Sequence, residues 1–235
     1  MQTETMTTKT MTGSQVRETK ETDQATTQSD VRVKMEVRQV ELTGLTDIMF
    51  DRYPGDNDTK LQWEQKIYTV PLRWEQGSNR LALPSENISS FLSGHNTNSA
   101  PKRLLDARKY KAICNACLSF VQVCGPPEHP LDLPFTRDGE PIEVGTFGVD
   151  RDETSGIYLH RSVARLEKGI PNPKERPTLP LPWSLNFILK IFPNKEINEQ
   201  QIKNLFEQGG IAVGLGTFRG VFGKFAVTKW EEVEA

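Results

Sequence analysis

Four glycines fall within the ten residues Gly214–Gly223, and Phe218, Arg219, Phe222 and Lys224 are set among and just after them, in the stretch GLGTFRGVFGKF. Glycine takes positive φ freely and lets another backbone come close. Arg219 and Lys224 carry charge that can meet phosphates, and Phe218 and Phe222 carry rings on which bases can stack. Together with Gly214, Gly216 and Gly220, they form the kind of segment that grips a polynucleotide. An architectural reading stands beside it, in which the glycines only turn the chain from helix to strand and the rings enter the core. The segment is not a Walker loop, because the Gly-Lys-Ser/Thr ending is absent. It is not a dinucleotide fingerprint either, because Gly214-x-Gly216 precedes a strand and not a helix.

A second basic element is Lys102, Arg103, Arg108, Lys109 and Lys111, five cations in ten residues against one acid, Asp106. Such a run can track a sugar-phosphate backbone, each contact adding close to one released counterion. A solvated outer face is the plainer reading. Basic charge at a helix start opposes the macrodipole, where acids are expected, and this favours function. The third element is Arg161, Arg165 and Lys168. Ile157, Leu159, Arg161, Val163 and Arg165 share one strand parity, so that face either turns to solvent at its far end or meets an anion.

Other chemistry finds less support. Cys114-x-x-Cys117 with Cys124 and His129 downstream offers zinc-ligand types. Cys117 falls on the apolar stripe of a helix, however, and the spacing departs from knuckle and ribbon patterns. The cysteines read as core residues, with no metal and no cofactor. His95, His129 and His160 belong to no nucleophile elbow or zinc-protease helix. Asp51, Asp56 and Asp58 cluster at the Tyr53-Pro-Gly turn and read as turn formers, and the acids of Asp150–Glu153 read as a loop tip. The expectation is a protein that is not an enzyme.

The segment Asn204–Gly210 followed by Gly214–Phe225 resembles the C-terminal glycine-rich loop of the RAMP superfamily. These are RNA-recognition-motif-like proteins that form the backbone and end subunits of CRISPR effector complexes. A fainter likeness lies in Leu83–Phe91, where this chain has Ser85-Glu86 and the family places glycine and serine. The resemblance implies a ferredoxin-like core holding a guide RNA by its backbone, with copies of the chain and other effector subunits as partners. Some members cut RNA with a loop aspartate; none is assigned here.

The elements that would position these groups follow from patterning. Val31, Val33, Met35 and Val37 alternate with charges as a half-buried strand, and the phase slips to Val40 and Leu42, which predicts a bulge near Arg38–Gln39. Helices are expected from Ser85 to Gly94, from Lys102 to Phe120, and from an Asn198–Gln201 capping box to a stop at Gly209. Strands are expected at Lys66–Val70, Leu72–Trp74, Ile157–Leu166 and Leu181–Phe192, the last with Trp183, Leu185, Phe187, Leu189 and Ile191 on one face. A loop containing Pro171, Pro173 and Pro177 separates the last two. Residues 126–156 read as an insertion of loops and short hairpins, with Asp138-Gly139 as a turn.

The order of these elements predicts an α+β fold with a ferredoxin-like (RRM-like) core, an antiparallel sheet and long loop or hairpin insertions. Residues 31–235 form one elaborated domain behind a disordered arm, 1–30, which holds ten threonines and only five apolar side chains. That arm carries the whole net charge of −2, so the remainder is balanced and binding must come from local cation clusters. No apolar run is long enough to span a membrane, the opening MQTETMTTKT reads as no signal peptide, and three cysteines fit a reducing compartment. The expectation is a cytoplasmic subunit that oligomerises along single-stranded nucleic acid, with no membrane partner. The alternatives are a structural or assembly protein, for example of a phage particle, and an enzyme on the same scaffold.

Overall fold

The structure is a computed structural model of the chain and describes residues 35–56, 59–70, 80–95, 98–145, 156–165 and 171–233. The threonine-rich arm, Val31, Val33, Asp58, Leu72–Trp74, the Gly77–Asn79 turn, the Asp150–Glu153 run and Lys168 lie outside the described residues.

The first half of the chain gives β1 (Glu36–Gly44), β2 (Ile48–Met49), a 3-10 turn (Trp63–Lys66), β3 (Tyr68–Thr69), β4 (Leu81–Pro84), α1 (Ser85–Ser93), α2 (Ala100–Leu104) and α3 (Tyr110–Phe120). The second half gives β5 (Val121–Cys124), β6 (Asp132–Arg137), β7 (Glu140–Pro141), β8 (Tyr158–Arg165), β9 (Pro171–Leu179), β10 (Ser184–Ile191), α4 (Glu199–Ala212) and β11 (Phe225–Glu232). Strands and helices intermix as expected of an α+β protein, and pairing between the strands is antiparallel. The larger sheet runs β11-β1-β10-β6-β4-β3, with β5 also on β10 and β7 also on β6, and the smaller runs β2-β9-β8.

Strict alternation makes β10 the spine of the larger sheet: Leu185, Phe187, Leu189 and Ile191 are buried, with the residues between them only half-buried. One strand away, β1 faces the same core with Val40 and Leu42. Ile88, Phe91 and Leu92 of α1 and Ile202, Leu205 and Phe206 of α4 complete it. The Phe91 ring lies 5.6 Å from Phe206 and 5.5 Å from Phe225, which ties both helices to the last strand. Full burial of each ring contributes about 1.5–3 kcal/mol.

The phase slip in β1 has a different cause from the one its pattern suggests. Register with β10 is unbroken from Glu36 opposite Ile191 to Thr43 opposite Ser184. Arg38 shares the parity of Val40 and Leu42 and makes a two-pronged contact with Glu199 of α4, Nε to Oε1 at 2.7 Å and Nη2 to Oε2 at 2.6 Å. Trp230 Nε1 donates to the same carboxylate at 2.7 Å. A paired arginine thus takes the place of an apolar residue. The register shift lies instead between Glu41 and Leu42, where β1 pairs with β11.

Three further expectations are corrected. The helix foreseen over Lys102–Phe120 is two helices, because Asp106 Oδ1 accepts the N–H groups of Arg108 and Lys109, both at 2.9 Å, and closes a turn between α2 and α3. Helix α4 runs through Gly209 to Ala212. Gly209 is there for close packing, since a Cβ would stand 2.5 Å from the Ala100 Cβ. Pro171, Pro173 and Pro177 belong to strand β9 and not to a loop. The Pro177 carbonyl accepts from Phe50 N on the β2 side, so these alternate prolines turn their missing N–H groups away from β8.

The Asp138-Gly139 turn forms as expected, with φ of 53° and 85°, and closes β6 onto β7. The hairpin joins the larger sheet through β10 and β4, so this part of the 126–156 stretch is built into the body.

Candidate nucleic-acid interface

The glycine segment starts where α4 ends. Val213 N donates to Gly209 O at 2.7 Å, and Gly214 then turns the chain at φ +79°. A side chain at Gly214 would place its Cβ 2.7 Å from the Gly223 carbonyl oxygen, so the close approach of the loop's two limbs excludes other residues. Leu215 N donates to Gly223 O at 2.9 Å across that gap, and the Leu215 side chain is fully buried. The base of the loop is therefore the architectural bend of the plainer reading.

The connection between β1 and β2 clamps the loop from one side. Thr46 Oγ1 accepts from Lys224 N at 2.9 Å, Asp47 O from Gly223 N at 2.8 Å, and Met49 O from Thr217 N at 2.9 Å. Asp47 is itself held, its carboxylate accepting from Tyr158 OH at 2.9 Å and Leu181 N at 3.2 Å. Thr46 and Asp47 belong to no motif, and nothing in their sequence spacing points to the loop they hold.

The tip behaves differently. Phe218 and Val221 are each 58% exposed, so these apolar side chains do not enter the core. Phe218 has φ +56°, a left-handed conformation that costs a bulky residue roughly 1–2 kcal/mol. A Cβ at Gly220 would meet nothing within 4 Å, so the loop is open there. The Phe222 ring stands 6.0 Å from Phe218 and 5.1 Å from His160 on β8, the latter edge to face. Phe218, Phe222 and His160 thus form an aromatic ladder across two elements. The His160 ring has no hydrogen-bond partner among the described residues.

The cations divide into three groups. Arg219 folds back on the protein, Nε donating to Gly216 O at 3.2 Å and Nη1 to Asn98 O at 3.0 Å. Burial lowers its pKa, with no carboxylate acting against that shift, and the guanidinium stays charged. Its bond to Asn98 brings the loop beside Ser99, the N-cap of α2, and hence beside the basic cluster. Lys102 and Arg103 lie on α2, Arg108 and Lys109 in the turn, and Lys111 in the first turn of α3, all exposed. Lys102 Nζ donates to His95 O at 3.0 Å, while Arg103, Arg108, Lys109, Lys111 and Lys224 make no ion pair among the described residues.

The third group stands apart. Arg161 is ion-paired with Glu175 at 2.9 Å, and its odd position points it to the face of β8 opposite His160. That face is buried at Ile157 and Leu159 and exposed at Val163, so its far end turns to solvent. Arg165 is placed opposite Pro171 at the end of the strand.

The remaining candidates serve the fold. Cys114 and Cys117 are buried, and desolvation pushes the Cys117 thiol up to about 12, the behaviour of a cysteine packed as a small apolar side chain. Asp51 pairs with Arg176 at 2.7 Å, and Asp56 accepts the Thr59 N–H at 2.6 Å in a turn. Among the described residues no helix is long and apolar enough to cross a membrane.

No protein-family model matches the sequence, and no curated protein matches it. Among solved structures the chain is similar to one in a cryo-EM structure of the Type III-B Cmr-beta bound to cognate target RNA, at 14% identity and a TM-score of 0.46. The match covers 86% of this chain and 61% of that one, so this chain spans less than two thirds of that neighbour's length.

Proposed function

We propose that the protein is a non-catalytic, cytoplasmic subunit that binds single-stranded nucleic acid, a guide RNA foremost, through the glycine loop and the adjoining basic cluster. In this reading it is a RAMP-like backbone subunit that polymerises along the strand with copies of itself and other effector subunits. The carrying observation is the loop itself: a base fixed by close backbone packing holds an exposed aromatic tip beside cations that make no ion pair among the described residues. Lys224 and the Lys102–Lys111 cluster would meet phosphates, and the ladder would meet bases. The Asx- and Pro-rich excursions at about 51–60 and 126–156 would contact neighbouring copies.

A ferredoxin-like core is part of the proposal. It is supported by the chain order β1, helices, β5, then β10, α4, β11, together with the sheet order β11-β1-β10-β5, which puts the last strand beside the first. In this frame β6 to β9 are an insertion between the two halves of one domain, 31–235.

The test is the absorbance ratio at 260 and 280 nm of protein purified at low salt. An excess at 260 nm that nuclease or high salt removes is the expected result. Large oligomers free of nucleic acid would instead support an assembly protein, a second reading favoured by the exposure of Ile211, Phe218 and Val221 around one loop.

A further inference from the structure

We infer that His160 contacts the bound strand, donating or accepting a hydrogen bond at the edge of an unpaired base that lies on the Phe218–Phe222 ladder. The inference rests on the nucleic-acid reading and adds to it a residue from a different element. Three observations carry it. The imidazole is oriented by packing, its centroid 5.1 Å from that of Phe222 with the planes at 67°. Ring packing constrains its direction, and no described residue hydrogen-bonds to either ring nitrogen. The ladder it belongs to ends in Phe218, held out at 58% exposure on a left-handed backbone that a buried ring would not require.

The chemistry selects the base over the phosphate. Phosphate contacts fall to full cations, of which the neighbouring α2–α3 turn has several that make no ion pair among the described residues. A half-buried ring among aromatic groups suits a flat, polar-edged ligand, in which stacking supplies affinity and one nitrogen supplies direction. Contacts to base edges carry sequence information and backbone contacts do not. His160 therefore gives the protein a base preference at one position of an otherwise unselective track.

The experiment titrates the full chain and its variants with a fluorescein-labelled oligouridine and with an abasic sugar-phosphate strand of equal length. His160→Phe keeps a ring against Phe222 and removes the nitrogens, and a thermal melt like that of the wild type confirms the packing. This variant is expected to bind oligouridine several-fold more weakly, and Phe218→Ala about tenfold more weakly, with abasic-strand binding unchanged in both. If His160→Phe binds oligouridine like the wild type, the inference is overturned while the nucleic-acid reading stands. Equal losses on both strands also overturn it, by moving the contact to sugar or phosphate. A wild-type protein that binds neither strand removes the nucleic-acid reading itself.

Discussion

Arg219 and Lys224 are alike in the sequence and opposite in the structure, and replacing each separates them. Arg219→Ala removes two hydrogen bonds from a charged donor, to Gly216 O and Asn98 O. Bonds to charged groups contribute about 1.5–3 kcal/mol each when dry. Both acceptors here are carbonyls that water can reach after truncation, so the pair is expected to cost about 2 kcal/mol in all. In a chain of this size that lowers the melting temperature by about 4–8 °C. Arg219→Lys should recover little, because an ammonium lacks the fork that spans two separate acceptors. Lys224→Ala breaks no side-chain hydrogen bond or ion pair among the described residues and should change stability by less than about 0.5 kcal/mol. In strand binding the order reverses: Lys224→Ala should lower the salt slope by about one, the signature of a lost phosphate contact. Differential scanning fluorimetry and titrations at several salt concentrations read both effects. An Arg219→Ala protein that melts with the wild type would refute the assignment of Arg219 as the tie between the loop and the α1–α2 connection.

Removing the charge of Arg103, Arg108, Lys109 and Lys111 together should weaken strand binding steeply at low salt and leave the melting temperature nearly unchanged, since none is ion-paired among the described residues. Gly214→Ala meets both an unfavourable φ and the Gly223 carbonyl, so its loss of stability in urea unfolding should exceed that of Gly220→Ala, whose Cβ enters open space. Glu199 has its pKa lowered, chiefly by its hydrogen bond with Arg38, so its contribution is present above the ordinary carboxylate range and is lost as pH falls through the lowered value. Glu199→Gln should therefore cost about 2 kcal/mol at neutral pH, with the gap to the wild type closing in acid; a gap independent of pH would contradict the ion pair.

Periodic burial was the most legible part of the chain. The five alternating apolar residues around β10, the stripe of α1 and the Asn198 capping box are local patterns, and each forms as its residues dictate. What escaped depends on partners distant in sequence. The slip in β1 looks like a bulge until Glu199 arrives to pair with Arg38. The prolines of β9 look like a loop until the strand's two edges are distinguished. The site divides in the same way: the glycine loop announces itself, whereas Thr46, Asp47 and His160 come to it from separate elements and carry no local signature. Arg219 shows the converse, a cation in the expected motif with two of its donors, Nε and Nη1, bonded to main-chain carbonyls.

The proline-bearing border of β9 has a consequence for crowding. Of the four alternate positions Pro171, Pro173, Glu175 and Pro177 on that border, only Glu175 keeps an amide hydrogen, and its carbonyl already receives Lys66 Nζ at 2.9 Å. A neighbouring molecule in the same ribbon geometry would find almost no main-chain donors with which to extend the sheet. Along this border a neighbouring strand could donate to the remaining carbonyls but would receive almost nothing in return, so main-chain pairing there is weakened and contacts fall mainly to side chains.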